Sequence, residues 1–423
     1  MAKTGTLFQR KPDQAVIASI IGNIIEYYDF VIYAYFSASI GRTFFPSGLP
    51  LSQLGLSLAT FGLTLLARPL GAIVLGNYAD RRGRVPTMMI CILLMAAGSL
   101  LLTVTPSYAS IGIAAPVLIV VARLIHGFSL GGEFGSATSF LIEHAPHHEA
   151  RAASWQAIGQ ITASLCAATV VLALNLCLPT AAFNDYAFRI ATGLGAAVGT
   201  GGLILRLILN RQNPPTRQPA PAVVAPFFQS DTILRTALIM GSVALGSGIT
   251  YLGLYMPHYA RSQYSLSSIS TSLAPLLTYG GQLLFTPLRW KLADRFDRTH
   301  SIRPMLLSCA FLILLPLPAF QLIRIAPATV LLMPLIFNLS GLFYFAALDG
   351  FIGQIFPSER RGRGLTMGYS FGVVLFGGLA PMTNAALIAW SGMNHAPALY
   401  MILTAIISFM SVLLAKPLLT RRS

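Results

Sequence analysis

The 423-residue sequence predicts an all-α membrane protein, with twelve transmembrane helices in two pseudo-symmetric six-helix bundles. Three observations predict this fold: an apolar composition, twelve apolar stretches long enough to cross a bilayer, and a weak repeat at half the chain length. Hydrophobic residues make up 55% of the chain and charged residues only 10%, and the mean hydropathy is +0.70. Soluble domains carry about a quarter charged residues, so we expect the helices to lie in lipid.

The apolar stretches follow one another along the whole chain, with short polar turns between them. A helix needs about 20 apolar residues to span a bilayer. The predicted helices cover residues 15–40, 52–79, 86–105, 111–142, 152–178, 187–210, 232–261, 270–293, 302–323, 327–356, 361–390 and 396–418. They leave no room for a soluble domain.

A gap between the sixth and seventh apolar stretches divides the chain into two halves. Prolines and polar residues dominate it, which is typical of an extended linker. The halves also repeat, because Ala79-Asp80-Arg81 recurs as Ala293-Asp294-Arg295 after the second helix of the second half. We therefore expect one bundle over residues 1–210, a cytoplasmic linker over 211–231 and a second bundle over 232–423.

The net charge of +15 reflects the orientation expected of the helices. With a cytoplasmic N-terminus, 22 of the 28 Lys and Arg residues fall on cytoplasmic segments, as the positive-inside rule requires. The outer segments carry four: Arg42, Arg189, Arg261 and Arg324. We expect a multi-pass protein of the bacterial inner membrane with both termini in the cytoplasm. The sequence contains no long basic run with interleaved aromatic residues, so it does not indicate nucleic-acid binding.

Motifs of enzymes are missing from the sequence. It contains no phosphate-binding Walker loop, HExxH or GxSxG, and its four cysteines lack metal-ligand spacing. We therefore expect no enzymatic activity, no metal and no cofactor. The expected partners are the lipid bilayer and a small solute. We expect the protein to function as a monomer.

Several motifs resemble those of a known transporter family. The stretch 76–84 (GNYADRRGR) resembles the signature of the major facilitator superfamily between helices two and three, and 123–127 (RLIHG) resembles its fourth-helix motif. Residues 22–30, with 68–71 and 127–133, resemble the metabolite:proton symporter group. Two further stretches look most like carriers of citrate and related tricarboxylates: 154–156 and 376–381.

This resemblance implies the major facilitator fold and a secondary active transporter that imports a small organic acid with protons by alternating access. The alternatives are a proton-coupled importer of zwitterionic osmolytes, or an exporter of drugs or siderophore-like metabolites. The motifs leave open H⁺ against Na⁺ as the coupling ion and the direction of transport. The resemblance also implies that the loop after helix two latches the outward-facing state through Gly76, Asp80, Arg81, Gly83 and Arg84. The alternative is that its charges only set the topology.

Ionisable side chains within membrane helices are costly and usually mark functional positions. The predicted proton-coupling residues are Glu26, Asp29, Arg123 and Glu133. If helices one and four face each other, Asp29 and Arg123 form an ion pair, which either opens during transport or is a permanent brace. Glu26 and Glu133 are either proton sites or hydrogen-bonded groups without such a role.

A carboxylated substrate needs cationic donors, and a guanidinium group binds a carboxylate through two parallel hydrogen bonds. We therefore expect Arg123, taken as the only deep arginine, to bind it in a cavity lined by helices one, four, five, seven, eight, ten and eleven. Further predicted substrate contacts are Asn23, Tyr33, His126, Gln156, Gln160, Tyr251, Tyr255, His258 and Tyr259. For His126 a structural hydrogen bond, and for the tyrosines ordinary packing, remain the alternatives.

Overall fold

The computed structural model describes residues 14–47, 53–143, 149–212, 230–299, 301–356 and 361–420. Within these ranges the regular structure is helical and contains no strand. The helices are α1 (Gln14–Tyr35), α2 (Ser37–Phe44), α3 (Gln53–Leu66), α4 (Arg68–Arg82), α5 (Arg84–Val104), α6 (Tyr108–Ile111), α7 (Ala114–Glu143), α8 (Glu149–Cys177), α9 (Thr180–Gln212), α10 (Ser230–Tyr264), α11 (Ser268–Leu284), α12 (Thr286–Thr299), α13 (Arg303–Leu314), α14 (Pro316–Ile325), α15 (Met333–Ser340), α16 (Leu342–Ile355), α17 (Arg361–Val373), α18 (Ala380–Ser391) and α19 (Ala396–Thr420), with a 3₁₀ turn at Pro327–Leu331 and a π turn at Val374–Gly378.

These helices follow the twelve predicted spans, so the predicted all-α fold is confirmed. Six spans are broken into two helices: α1 with α2, α3 with α4, α11 with α12, α13 with α14, α15 with α16, and α17 with α18. Within the described residues, nine segments are long and apolar enough to cross a membrane. The pair α15 and α16, which is bent by 53°, makes a tenth.

Proline positions explain two of the breaks. Pro69 is the second residue of α4, and Pro287 is the second residue of α12. A proline is tolerated in the first turn of a helix, but it cannot supply the N–H that a continuous helix would use. In the second span and in the eighth, a new helix therefore begins midway. The first turn of the new helix contains an arginine in each case, Arg68 in α4 and Arg289 in α12.

Glycines let α7 approach α3 and α4 closely. A Cβ atom at Gly127 would overlap the carbonyl oxygen of Thr64, and one at Gly71 would overlap that of Phe128. Backbones can pack at this distance only where small residues lie at the contact. α7 is consequently held inside the first six spans, where it also packs along α5.

The first six spans meet the last six mainly through α8, which packs against α11, α12 and α16, and through α4, which packs against α17. α1 also contacts α10. The residue boundaries of the two bundles stay a prediction, and residues 213–229 of the predicted linker lie outside the described ranges.

Candidate functional site

A central cavity of about 190 Å³ lies where the first six spans meet the last six. α1, α4 and α8 line it on one side, and α10, α11, α12, α15, α16 and α17 on the other. The polar residues that line it are Tyr27, Arg68, Gln156, Gln160, Ser164, Ser247, Thr250, Tyr251, Thr278, Tyr279, Gln282, Arg289, Asn338, Asp349 and Tyr369. Both halves therefore present hydrogen-bonding groups to one shared cavity.

Two arginines give the cavity a positive charge. The Arg68 guanidinium group lies over the ring of Tyr369, 5.2 Å from its centroid. Arg289 donates from Nη2 to the carbonyl oxygen of Phe345 at 3.2 Å, and the same nitrogen lies 3.8 Å from Oδ2 of Asp349. Among the described lining residues Asp349 is the single carboxylate. With Asp349 ionised, the lining carries two cations and one anion.

The predicted substrate residues divide between this cavity and other places. Three of them line the cavity: Gln156, Gln160 and Tyr251. His258 lines a second pocket. The remaining six do not line the cavity: Asn23, Tyr33, Arg123, His126, Tyr255 and Tyr259. No described side chain of α7 lines it either, and those of residues 134–143 lie outside the described part of the chain. The expectation that helix four borders the cavity stays a prediction.

Arg123 is fully buried within the first six spans. Its Nε donates to Oγ1 of Thr64 at 3.0 Å, and its guanidinium carbon lies 4.1 Å from the ring centroid of Tyr33. Its Nη1 lies 2.8 Å from Nδ1 of His126. Hydrogen bonding and a cation–π contact thus satisfy much of its charge away from the cavity. Arg123 as a substrate ligand stays a prediction, which this arrangement does not support.

The direct ion pair expected between Asp29 and Arg123 is not formed. Ion pairs among the described residues join other side chains. Ser99 donates to Oδ2 of Asp29, and Oγ of Ser99 lies 3.2 Å from Nε2 of His126. A bridge of Ser99 and His126 therefore connects the two charged groups, because these side chains occupy the space between α1 and α7.

The guanidinium group of Arg123 determines which atoms donate and which accept in this bridge. A guanidinium group can only donate, so Nδ1 of His126 must accept from Arg123. Nε2 then carries the hydrogen of a neutral imidazole, and the carbonyl oxygen of Met95 lies 3.1 Å from it. His126 is therefore a neutral link in this structure, in agreement with the structural alternative for it.

Three further predicted residues are buried: Glu133, Glu26 and Asn23. Both carboxylate oxygens of Glu133 lack a hydrogen-bond partner among the described residues. Glu26 is buried and interacts with other groups, while Oδ1 of Asn23 lies against Gly159. None of the three lines the cavity, and their roles stay predictions.

The tyrosines of α10 mostly serve packing, the alternative left open by the sequence. Tyr259 donates its hydroxyl to the carbonyl oxygen of Asn394 at 2.6 Å. Its ring lies 6.2 Å from that of Tyr255. Only Tyr251, one turn earlier, lines the central cavity.

The predicted gating loop is partly described. Gly83 ends α4 with φ of 101°, which favours glycine, and its N–H donates to the carbonyl oxygen of Ala79 at 2.8 Å. Gly76 has open space around it. The side chains of Asp80, Arg81 and Arg84 lie outside the described part of the chain, and the gating role stays a prediction.

Sequence reasoning missed Arg68 and Arg289 as cavity residues. The charge distribution counts Arg289 with the cytoplasmic segments, although it lies within the predicted eighth helix, residues 270–293. Its position offered a signal, because it lies more than one helical turn before Asp294, the repeated loop residue. The sequence places Arg68 in a helix and in a family motif, but it does not indicate that Arg68 faces the cavity.

Known proteins resemble the chain over nearly its whole length. A citrate-proton symporter of Klebsiella pneumoniae is 32% identical, with 97% of this chain and 92% of the symporter covered. A proline/betaine transporter of Escherichia coli (strain K12) is 29% identical, with 94% and 82% covered. Among solved structures, the proton:xylose symporter XylE bound to 6-bromo-6-deoxy-D-glucose has a TM-score of 0.74 at 14% identity, with 96% of this chain and 95% of XylE covered.

The structural likeness supports the fold, and the sequence comparisons support the family. The family model of the Major Facilitator Superfamily matches residues 31–363, more than half of the chain. Together with the helical spans and the cavity between them, this match shows that the chain belongs to the Major Facilitator Superfamily of multi-pass membrane transporters and is not an enzyme.

Proposed function

We propose that the protein is a proton-coupled symporter that imports a small organic acid, citrate or a related di- or tricarboxylate, across the bacterial cytoplasmic membrane. Citrate-proton symporters of Klebsiella pneumoniae and Salmonella typhi are similar to it over most of its length. Alternating access between two bundles would carry the solute, with the binding site near the membrane midplane.

The observation that carries the proposal is the pair of arginines in the central cavity. Arg68 and Arg289 line one cavity whose described residues include a single carboxylate. The lining therefore has an excess of positive charge, which attracts an anionic substrate. Arginine binds carboxylates with two parallel hydrogen bonds, and the amides of Gln156 and Gln160 add neutral contacts.

Asp349 offers a way to link the proton to the substrate. It lies 3.8 Å from Arg289, so an incoming carboxylate competes with Asp349 for the same guanidinium group. A proton on Asp349 removes the competing charge. Linkage is reciprocal, so lower pH should tighten substrate binding, and bound substrate should favour protonation.

We also assign a proton-coupling role to Asp29 and Arg123. Their network is separate from the cavity, so its proton need not meet the substrate directly. The Ser99 and His126 bridge keeps the charges apart, and loading a proton on Asp29 changes the interactions between α1, α5 and α7. H⁺ is the coupling ion in this proposal.

A zwitterionic solute is the second candidate. Four tyrosines line the cavity together with Asp349: Tyr27, Tyr251, Tyr279 and Tyr369. Aromatic rings with a carboxylate can hold a quaternary ammonium group, and the proline/betaine transporters are also similar to this chain. The excess of guanidinium groups favours the organic acid.

The test is binding and uptake of labelled citrate by the purified protein in proteoliposomes. Arg289→Ala should weaken citrate binding about 10- to 100-fold, the loss expected for about 1.5–3 kcal/mol of charged hydrogen bonding. Lys291→Ala is the matched control, because Lys291 is exposed on the same helix and does not line the cavity.

Two results would count against the proposal. One is saturable uptake of labelled betaine or proline that excess citrate does not inhibit. The other is citrate uptake that responds to an imposed Na⁺ gradient at constant pH and not to a pH gradient, which would make Na⁺ the coupling ion.

A further inference from the structure

A second pocket lies on the same helices as the central cavity, further along their axes. Its volume is about 80 Å³. α1, α8, α10 and α11 line both spaces. On α10, Tyr251 faces the cavity and His258 faces the second pocket, and seven residues correspond to about 10 Å along a helix. The second pocket is therefore a neighbouring chamber along these helices.

Two arginines from opposite halves converge on this second pocket. Arg42 of α2 donates from Nη2 to Oδ1 of Asn184 and to Oγ of Ser39, both at 3.2 Å. Arg261 of α10 donates from Nε to Oγ1 of Thr271 at 2.7 Å. These partners are all neutral. Both arginines line the same small pocket, so their like charges repel each other.

No carboxylate is present among the described residues that line the second pocket. In the predicted topology the second pocket lies at the outer face of the membrane. The outer segments carry four arginines and one acid, Asp185, which does not line the pocket. Residues 45–52, which the structure describes up to 47, contain no charged side chain. Few protein groups are thus available to neutralise Arg42 and Arg261.

Two like charges that share a small pocket repel each other more strongly than in water. An anion between them replaces the repulsion with two attractions, and the planar donors of arginine suit a carboxylate. A positive patch at the mouth of a path also raises the local concentration of anions and their association rate.

A pair of tyrosines separates the two chambers. Tyr35 lines the second pocket and Tyr279 lines the central cavity. Their phenol groups are neighbours. Beyond the second pocket, Asn175 donates to the hydroxyl oxygens of Ser268 and Ser272, which ties α8 to α11. A solute that passes between the chambers has to move past the Tyr35 and Tyr279 rings.

We infer that Arg42 and Arg261 form an outer anion site, which captures the carboxylates of the substrate before it passes Tyr35 and Tyr279 into the central cavity. The inference rests on the proposed function, since it takes the same organic acid as ligand. It adds a second binding step on the side of the membrane from which import starts.

The experiment measures initial citrate uptake against citrate concentration at low and high ionic strength. The double variant Arg42→Gln/Arg261→Gln should raise KM about tenfold at low salt, in the range of electrostatic steering, and leave the maximal rate nearly unchanged. Wild-type KM should rise with salt, and the double variant should lose most of this dependence. Arg324→Gln is the matched control, because Arg324 is an exposed arginine of the same predicted end outside the pocket.

The outcomes separate the two proposals. Citrate import by the wild type, with KM of the double variant within twofold of Arg324→Gln, overturns the outer site and leaves the proposed function standing. A wild-type KM that does not change with ionic strength overturns the outer site without any variant. If the wild type neither binds nor imports citrate or another organic acid, both proposals are wrong.

Discussion

The hydroxyl group of Ser99 lies, together with His126, between the buried charges of Asp29 and Arg123. It donates to Asp29 and lies next to His126, which accepts from Arg123. A direct buried ion pair typically costs 3–5 kcal/mol to break. A bridge of neutral groups can rearrange one hydrogen bond at a time, which suits a site that loads and releases a proton.

Replacing Ser99 by Ala should move the pH dependence of citrate uptake to higher pH. The change removes a hydrogen bond that favours the ionised form of Asp29, so the proton is held more tightly. A hydrogen bond to a charged group contributes about 1.5–3 kcal/mol, so we expect the midpoint to shift by about one unit or more. Initial citrate uptake measured from about pH 5.5 to 8, corrected for ionisation of citrate, provides the test.

Ser308→Ala is the matched control for this prediction. Ser308 is also buried within a helix, but it donates to the backbone carbonyl oxygen of Ser340. An unchanged midpoint in Ser99→Ala, with normal uptake, would mean that Asp29 does not set the pH dependence.

The burial of single residues could be predicted from the sequence, but the direction in which each side chain points could not. Glu26, Asp29, Arg123 and Glu133 are all buried, as their positions in apolar stretches predicted. Hydropathy does not distinguish a side chain that faces a cavity from one that faces the interior of a bundle. Arg123 faces the interior and Arg289 the cavity, although only Arg123 was predicted to bind substrate.

Among the elements, the spans could be predicted and their breaks largely could not. Apolar length indicates where a helix crosses, whereas the break at Ala67 and that at Phe285 depend on one proline each in a continuous apolar stretch. These breaks position Arg68 and Arg289. The contact between α4 and α7 depends in turn on glycines, which hydropathy treats as neutral.

Gly71→Ala should destabilise the protein by on the order of 1–3 kcal/mol, the cost of overpacking. The added methyl group would overlap the backbone of Phe128, so α4 and α7 must move apart. Gly201→Ala is the control, since a Cβ there meets nothing within 4 Å and alanine favours helix. Thermal unfolding in detergent should show a lower Tm for Gly71→Ala only, and equal Tm values would disprove the close contact.

At the scale of the whole molecule, the distribution of Lys and Arg predicts one orientation. It places both termini in the cytoplasm, and it places the last residue of α8, Cys177, at the outer face. Cys177 is exposed, as is Cys166 eleven residues earlier on the same helix, whereas Cys91 and Cys309 are buried. The native cysteines thus offer a test of orientation.

A membrane-impermeant maleimide should label Cys177 in cells whose outer membrane has been permeabilised and whose cytoplasmic membrane is intact. Cys166 lies about 16 Å further along the helix, within the apolar span, and should stay unlabelled. Cys177→Ser should abolish the signal. Labelling that requires disruption of the cytoplasmic membrane would show that the orientation is reversed.

Arg68 and Arg289 belong to opposite halves of the chain, and both line the central cavity. A solute of the proposed kind with two carboxylates would bind both halves at once, and its second contact would benefit from the high effective concentration created by the first. A solute with one carboxylate would bind one half and make no such contact with the other. The spacing of negative groups along the solute would then decide which of two molecules of equal total charge binds more tightly.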